Sequence, residues 1–369
     1  MKKVLLAAAV ASLGLSAAHA APTLYGKLNV SLNQVDNNDW KGNDQTQLNS
    51  NASRIGVKGE EKLTDKVGVI YQAEWGFSVD GSGSDNEWSA RNRFLGLKFK
   101  DIGSLKAGQY DSYFKTAAGR YQDIFNDDTN LDITKTMYGE ERLKNVVGFE
   151  TDKNLLIPGL VFSVMAQMGE NDSSAYSTKK RDSFGSGVST SLAYDNKDLG
   201  LAAAVAGNFG VQGAYNALSL KGIESDAVRV TGSYDFTKVG LAGLVLGALY
   251  QHAEPSDAPS AASLAGAVDK DGKTLGLDKR VGQNLEENAW LIQATYNILN
   301  TPWTVKGQYQ SAKTEWDGGD RKLDQYGVGV DYNFNKQTRF YGVLAQQKRD
   351  WQSNDDKKTV YGLGMEYNF

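Results

Sequence analysis

Apolar and polar positions alternate along most of this chain. The clearest stretch is Tyr361-Gly-Leu-Gly-Met-Glu-Tyr-Asn-Phe369. Tyr361, Leu363, Met365, Tyr367 and Phe369 make an unbroken apolar face, with Gly362, Gly364, Glu366 and Asn368 opposite. Side chains of a strand point alternately to two faces, so this segment reads as a strand with one oily and one wet side. Nearly the same words occur at Tyr326-Gly-Val-Gly-Val-Asp-Tyr-Asn-Phe334. Similar endings recur at Tyr194, Tyr234 and Tyr296. The two long copies lie 35 residues apart, about the length of two strands with a turn and a loop. Periods of this size mark repeated supersecondary units.

The pattern predicts sixteen strands: 23–35, 53–60, 67–79, 91–99, 104–111, 142–152, 158–169, 183–195, 199–209, 225–236, 240–252, 287–299, 302–315, 322–334, 338–349 and 359–369. Residues 36–50 read as a polar loop. One strand breaks parity, because Arg91 and Arg93 share a face with Leu95, Leu97 and Phe99; a bulge or a change of surroundings along the strand would reconcile them. Between 111 and 141 the beat stops for about 30 residues, which is long for a structureless connection inside a domain. Strands of about ten residues, an even count, and short turns alternating with long loops describe an all-β, transmembrane antiparallel barrel. Closure follows from physics, because hydrocarbon offers no partner to the backbone groups of an open sheet edge. Aromatics near the short turns (Trp303, Tyr332, Phe334, Phe340, Tyr367, Phe369) and near the long loops (Trp88, Trp316, Trp351) are expected to form two interfacial girdles.

Composition narrows the compartment. The start Met1-Lys-Lys, an apolar run to Ala18 and the ending Ala18-His-Ala20 describe a secretory signal peptide over 1–20, leaving one domain over 21–369. Beyond residue 20 no apolar run approaches the ~20 residues of a membrane helix. The chain carries 40 Lys and Arg against 44 Asp and Glu, a net charge of −4, which does not suggest a nucleic-acid partner. It has no Cys, so disulfides and thiolate metal sites are excluded, and no cofactor or metal site is expected. Only His252 lies beyond the leader, and the 40 Gly, 18 Tyr and 5 Pro suit a large sheet with tight turns.

The motifs Ala21-Pro-Thr-Leu-Tyr-Gly-Lys27, Ser53-Arg-Ile-Gly-Val-Lys-Gly-Glu60, Tyr71-Gln-Ala-Glu74, Arg91 to Leu97 and the final Phe369 resemble those of the Gram-negative general-diffusion porins. The similarity spans the mature chain and is tightest over 21–110 and 142–170. It implies a homotrimer in the cell outer membrane, bounded by lipid and lipopolysaccharide, that passes ions and small hydrophilic solutes. It also implies that 111–141 folds inward as a constriction loop facing a basic wall. The matching basic positions are Lys27, Arg54, Arg91 and Arg142; the acidic candidates are Asp123, Asp127, Asp128 and Asp132. Phe369 with Tyr367 looks like the assembly signal read by the barrel-insertion machinery. The chain departs from the family at Gln109, where relatives often carry Arg, and in lacking the family's Pro-Glu-Phe-Gly-Gly-like loop turn.

Loop 111–141 holds seven acids against three bases; the basic wall nearly cancels them, and the acidic long loops at the mouth point to a modest cation preference. A substrate-specific channel is the alternative; a phosphate channel would want a basic loop. A barrel hydrolase would need His252 as the base for a Ser nucleophile, and no Ser with a supporting acid lies near it on its own strand. No catalytic residues are expected.

Overall fold

In the computed structural model the residues described are 21–82, 88–125, 128, 130–170, 181–256, 284–317, 319–351 and 354–369. The expected signal peptide at 1–20 and Asp127 lie outside them. Among the described residues the strands are β1 (Thr23–Asp36), β2 (Gln45–Ser50), β3 (Arg54–Lys62), β4 (Val67–Gly76), β5 (Ser89–Phe99), β6 (Gly103–Asp111), β7 (Arg142–Thr151), β8 (Leu160–Met168) and β9 (Phe184–Asn196). They continue with β10 (Leu201–Tyr215), β11 (Leu220–Asp235), β12 (Leu244–Pro255), β13 (Glu286–Asn297), β14 (Trp303–Trp316), β15 (Gly319–Asn333), β16 (Thr338–Trp351) and β17 (Asn354–Asn368). One helix, α1 (Tyr113–Gln122), lies between β6 and β7.

The sheet pairs antiparallel throughout and closes on itself: β17 returns to β1 in register from Lys27↔Asn368 to Asp36↔Thr359. β2 and β3 together make one stave. Val30 to Val35 of β1 pair with β2, while Thr23 to Lys27 pair with β3. The stave breaks at Asn51 to Ser53, with Ala52 in the left-handed region at φ 50°. Inside the break Asn51 Nδ2 donates to Ser31 Oγ at 2.8 Å and to Tyr341 Oη at 3.0 Å. The barrel therefore has sixteen staves, as the periodicity predicts, one of them interrupted. Part of the expected polar loop 36–50 is strand: Gln45-Thr-Gln-Leu-Asn-Ser50 offers a single apolar side chain, Leu48, and so gives no alternation to read.

The faces are inverted relative to a soluble fold. Leu24, Leu95, Val205, Ile292, Val328, Leu344 and Leu363 are exposed on the outer face, Leu363 by 73%. Asn29, Ser31, Asn33, Ser189, Gln251, Gln310 and Thr314 are buried inside. An apolar belt this large needs hydrocarbon around it, not water. At the short-turn end Trp303 and Tyr332 meet edge to face at 4.8 Å, and Tyr367 lies over Phe369 at 6.2 Å. Toward the long-loop end the outer row is Trp290, Tyr309 and Tyr326, with centroids 4.8 and 5.1 Å apart. Trp316 does not join it. Its side chain is buried, with the Arg321 guanidinium 5.8 Å from the ring centre.

The parity conflict on β5 resolves as a bulge. Ala73 opposes Arg93 and Trp75 opposes Ala90, so Arg91 and Asn92 together face Glu74 alone. The extra residue flips the phase: Arg91 reaches the lumen with Glu74, while Arg93 points out with Leu95 and Leu97. Several strands run further than the sequence suggests, β10 to Tyr215 and β11 back to Leu220. At those ends Val211, Tyr215, Leu220 and Ile223 are buried against the inward-folded segment, so the oily-out, polar-in alternation is lost there.

Candidate functional site

The described residues between 112 and 141 fold into the barrel. Ser112 caps α1, its hydroxyl accepting from the Lys115 N–H at 3.1 Å. The wall then fixes the segment at both ends. Phe114 N–H donates to Ser189 Oγ at 3.1 Å. Arg229, wholly buried on β11, donates to Phe114 O at 2.9 Å, Gln251 Oε1 at 2.6 Å and Glu140 Oε1 at 2.7 Å. Glu287 of β13 accepts from the Tyr138 N–H at 2.8 Å, and Tyr138 Oη donates to Val211 O at 2.7 Å. Further along, Gln308 accepts from Ile124 N–H at 3.1 Å, Gln347 donates to Asn130 O at 2.8 Å and Gln325 to Leu131 O at 2.7 Å. Two glycines make room for the segment's rings. A Cβ on Gly213 would sit 2.1 Å from the Tyr138 ring, and one on Gly327 would sit 2.9 Å from Phe125.

A belt of charge runs along the wall and across the seam, starting at Lys306, whose Nζ also donates to Ile124 O at 3.4 Å. From β14 it reads Lys306–Asp331 at 3.1 Å, Asp331–Arg339 at 3.2 Å, Arg339–Glu366 at 3.0 Å and Glu366–Lys27 at 3.6 Å. Lys27 stands in register with Arg54 on β3. Arg54 lies 3.8 Å and Arg91 2.6 Å from Glu74. Arg142 reaches Asp111 at 2.9 Å and Asn92 Oδ1 at 2.7 Å, and Lys115 of α1 closes the row 3.4 Å from Asp111.

Between this belt and α1 lies a polar slot of about 630 Å³. Lys27, Arg54, Lys306, Arg339, Asp331 and Glu366 line one side; Thr116, Ala118, Asp123, Ile124 and Glu140 line the other. Of the four basic positions singled out in the sequence, Lys27 and Arg54 line the slot directly, and Arg91 and Arg142 continue the same belt. Among the acids, Asp123 lines the slot. Asp128 is buried in its own turn, accepting from the Asn130 N–H at 2.9 Å, and Asp132 caps a 3-10 turn by accepting from the Thr134 N–H at 2.8 Å. Burial raises the carboxyl pKa of Asp128, and it raises those of Glu140 and Glu141, with Arg229 and Lys115 opposing the shift at Glu140 and Lys115 at Glu141.

The periodicity alone does not single out Lys306, Arg339, Asp331, Glu366 or Arg229. An inward charge on a strand reads like any solvated face, and only neighbours from other strands distinguish a belt. Phe369 sits on the outer seam: Gly26 N–H donates to Phe369 O at 2.9 Å and Phe369 N–H to Gly26 O at 3.1 Å. Tyr367 pairs with Leu28 in the same seam. His252 is on the outer face, with Nδ1 3.0 Å from Asn288 Oδ1 and Nε2 4.0 Å from Glu254.

The sequence pattern of the Gram-negative porin family matches residues 6–352. An outer membrane porin protein of Bordetella pertussis is 25% identical, over 92% of this chain and 93% of its own. The fold resembles the solved anion-selective porin from Comamonas acidovorans, with a TM-score of 0.71 and 18% identity over 94% of this chain and 99% of the other. It also resembles OmpT of Vibrio cholerae in its trimer form, with a TM-score of 0.59 and 17% identity over 94% and 99%. Inverted faces, a closed sheet and a polar interior agree with that match, and the chain belongs to the Gram-negative porin family, an outer-membrane channel-forming barrel.

Proposed function

We propose that ions and small hydrophilic solutes cross the outer membrane passively through the slot between α1 and the charged belt. The observation that carries this reading is the belt itself, a row of cations and carboxylates facing the polar side of an inward-folded loop. Solutes that keep polar contacts pass such a slot, and apolar ones that lose water without replacement are held back. Lys27, Arg54, Arg91, Arg142, Lys306, Arg339 and Lys115 stand against Glu74, Asp111, Asp331, Glu366, Asp123 and Glu140, so the two signs nearly cancel. That balance supports weak ion selectivity, and most of the loop acids are held by Arg229, Arg142, Lys115 or local turns.

Three copies form the working unit in this proposal. Arg93 supports it: its guanidinium is exposed on the outer face, bonded to Gln109 at 2.7 Å. A cation there against lipid costs up to ~2–4 kcal/mol depending on depth, and a neighbouring subunit would cover it. The test is reconstitution in planar bilayers under a KCl gradient. Conductance steps that close in thirds, with a small zero-current potential, are expected. A barrel that inserts but passes no current would contradict the reading.

A further inference from the structure

Above the slot, on the long-loop side, the lumen holds a second polar cavity of about 390 Å³ that takes no part in the belt. Its wall is built around Trp40. The Arg349 guanidinium lies 3.9 Å from the centre of that ring, and Lys358 Nζ lies 4.7 Å from it. Trp40 is held in the left-handed region at φ 61°, which a bulky side chain rarely adopts. Its loop is tied down: Asn37 Nδ2 donates to Lys357 O at 2.8 Å, and Trp40 N–H to Asn37 O at 3.1 Å. The fold therefore accepts backbone strain to set one aromatic ring against two cations of adjacent strands.

Two like charges gathered on one ring repel each other, and more cations surround them. Lys135 lines the same cavity and acts on Lys358, while Arg321 acts on Arg349. The carboxylates that oppose them are Asp39 and Asp356. Asp39 already accepts from the Lys41 N–H at 2.9 Å and from Asn43 Nδ2 at 2.6 Å. Asp324 also borders the cavity, and its carboxylate is engaged by Lys322 at 3.0 Å and Tyr309 Oη at 3.0 Å. The remaining wall is rich in amides, among them Gln347, Asn49 and Asn130, which can donate to oxygen. Clustered cations with amide donors in a small cavity fit a small polyvalent oxyanion, which would relieve their mutual repulsion.

We propose that this cavity is an anion-binding station for a small di- or trianionic solute, such as a polycarboxylate or phosphate, on the way to the slot. It rests on the channel reading and gives that reading a preferred class of solute. Arg349 and Lys358 come from β16 and β17, and Lys135 comes from the inward-folded segment.

The experiment follows single channels in about 0.1 M KCl, where charges act over about 10 Å, with citrate or inorganic phosphate added from the long-loop side. Citrate should interrupt the wild-type current transiently, phosphate more briefly, and neutral glucose not at all. Arg349→Gln and Lys358→Gln should each shorten the citrate dwell time about tenfold, as for loss of a charge-assisted contact, while KCl steps persist. Lys135→Gln, at an exposed side chain of the inward-folded segment, should shorten it as well. Wild-type current indifferent to citrate, or unaltered dwell times in all three variants, would overturn the station. Absence of any KCl step would instead contradict the channel reading.

Discussion

Arg229 hands a hydrogen bond to Glu140 across 2.7 Å from a point on the barrel wall that solvent does not reach. The same guanidinium holds Phe114 O, so one side chain grips both ends of the inward-folded segment. Removing it leaves a buried carboxylate and carbonyls without their donor, a change that costs roughly 3–5 kcal/mol. Arg229→Ala should therefore release the loop while the sheet stays closed. Single-channel records would report larger and noisier open currents, and limited proteolysis would cut between 112 and 141. Unchanged conductance with an intact loop would show that the other wall contacts suffice.

The acids of that loop set its response to pH. Burial raises Asp128, Glu140 and Glu141 above their usual values of 3.8, 4.5 and 4.5. The folded state then binds more protons than the unfolded chain between the ordinary and the raised values. Stability from these groups is complete below the ordinary value and is lost as pH rises through the raised one. Mild acid should thus tighten the loop, not melt it. Neutralising Glu140 also removes negative charge from the slot, so the zero-current potential should drift toward anion preference as pH falls through its raised value. A drift toward cations would contradict the assignment.

The belt makes a graded prediction. One uncompensated charge about 10 Å from a permeating ion is worth about 0.4 kcal/mol in water, or about a twofold preference. Arg54→Ala or Arg91→Ala frees part of Glu74 and subtracts one cation. Each should move the permeability ratio toward cations by about that factor and raise conductance, and the effect should fade above about 1 M salt, where the Debye length is near 3 Å. An anionward shift in either variant would mean that the arginine does not face the permeating ions.

Much of this architecture is written in alternation, because a lipid-facing strand must be oily on every second residue. That rule locates the staves, and it fails where its cause is absent. Gln45–Ser50 is polar but for Leu48, and the upper parts of β10 and β11 turn apolar side chains inward against the folded-in segment, so neither keeps the outward oily beat that marks a strand. Arg91 and Arg93 betray the β5 bulge as a parity error, but the partner that resolves it, Glu74, is visible only across the β4–β5 register. The belt is less legible still. Lys306 and Lys27 are far apart in sequence, and closure of β17 onto β1 brings them into one row.

That closure has its own test at Gly26. A Cβ there would lie 2.3 Å from the Phe369 ring, which covers the seam from outside. Gly26→Val should displace the ring and weaken the β1–β17 junction, as should Phe369→Ala. Both should lower the yield of barrel that keeps its compact mobility on unheated detergent gels and lower the temperature at which that mobility is lost. Wild-type yield and melting in both variants would show that the aromatic cover of the seam is dispensable.

The central claim is that current passes between α1 and the belt. Thr116 is exposed on the slot side of α1, and the chain has no cysteine of its own, so Thr116→Cys gives a single addressable thiol. Under voltage clamp, a charged methanethiosulfonate reagent should lower the conductance of each open channel in one discrete step, and dithiothreitol should restore it. Complete labelling by mass with conductance unaltered would place the conducting path elsewhere.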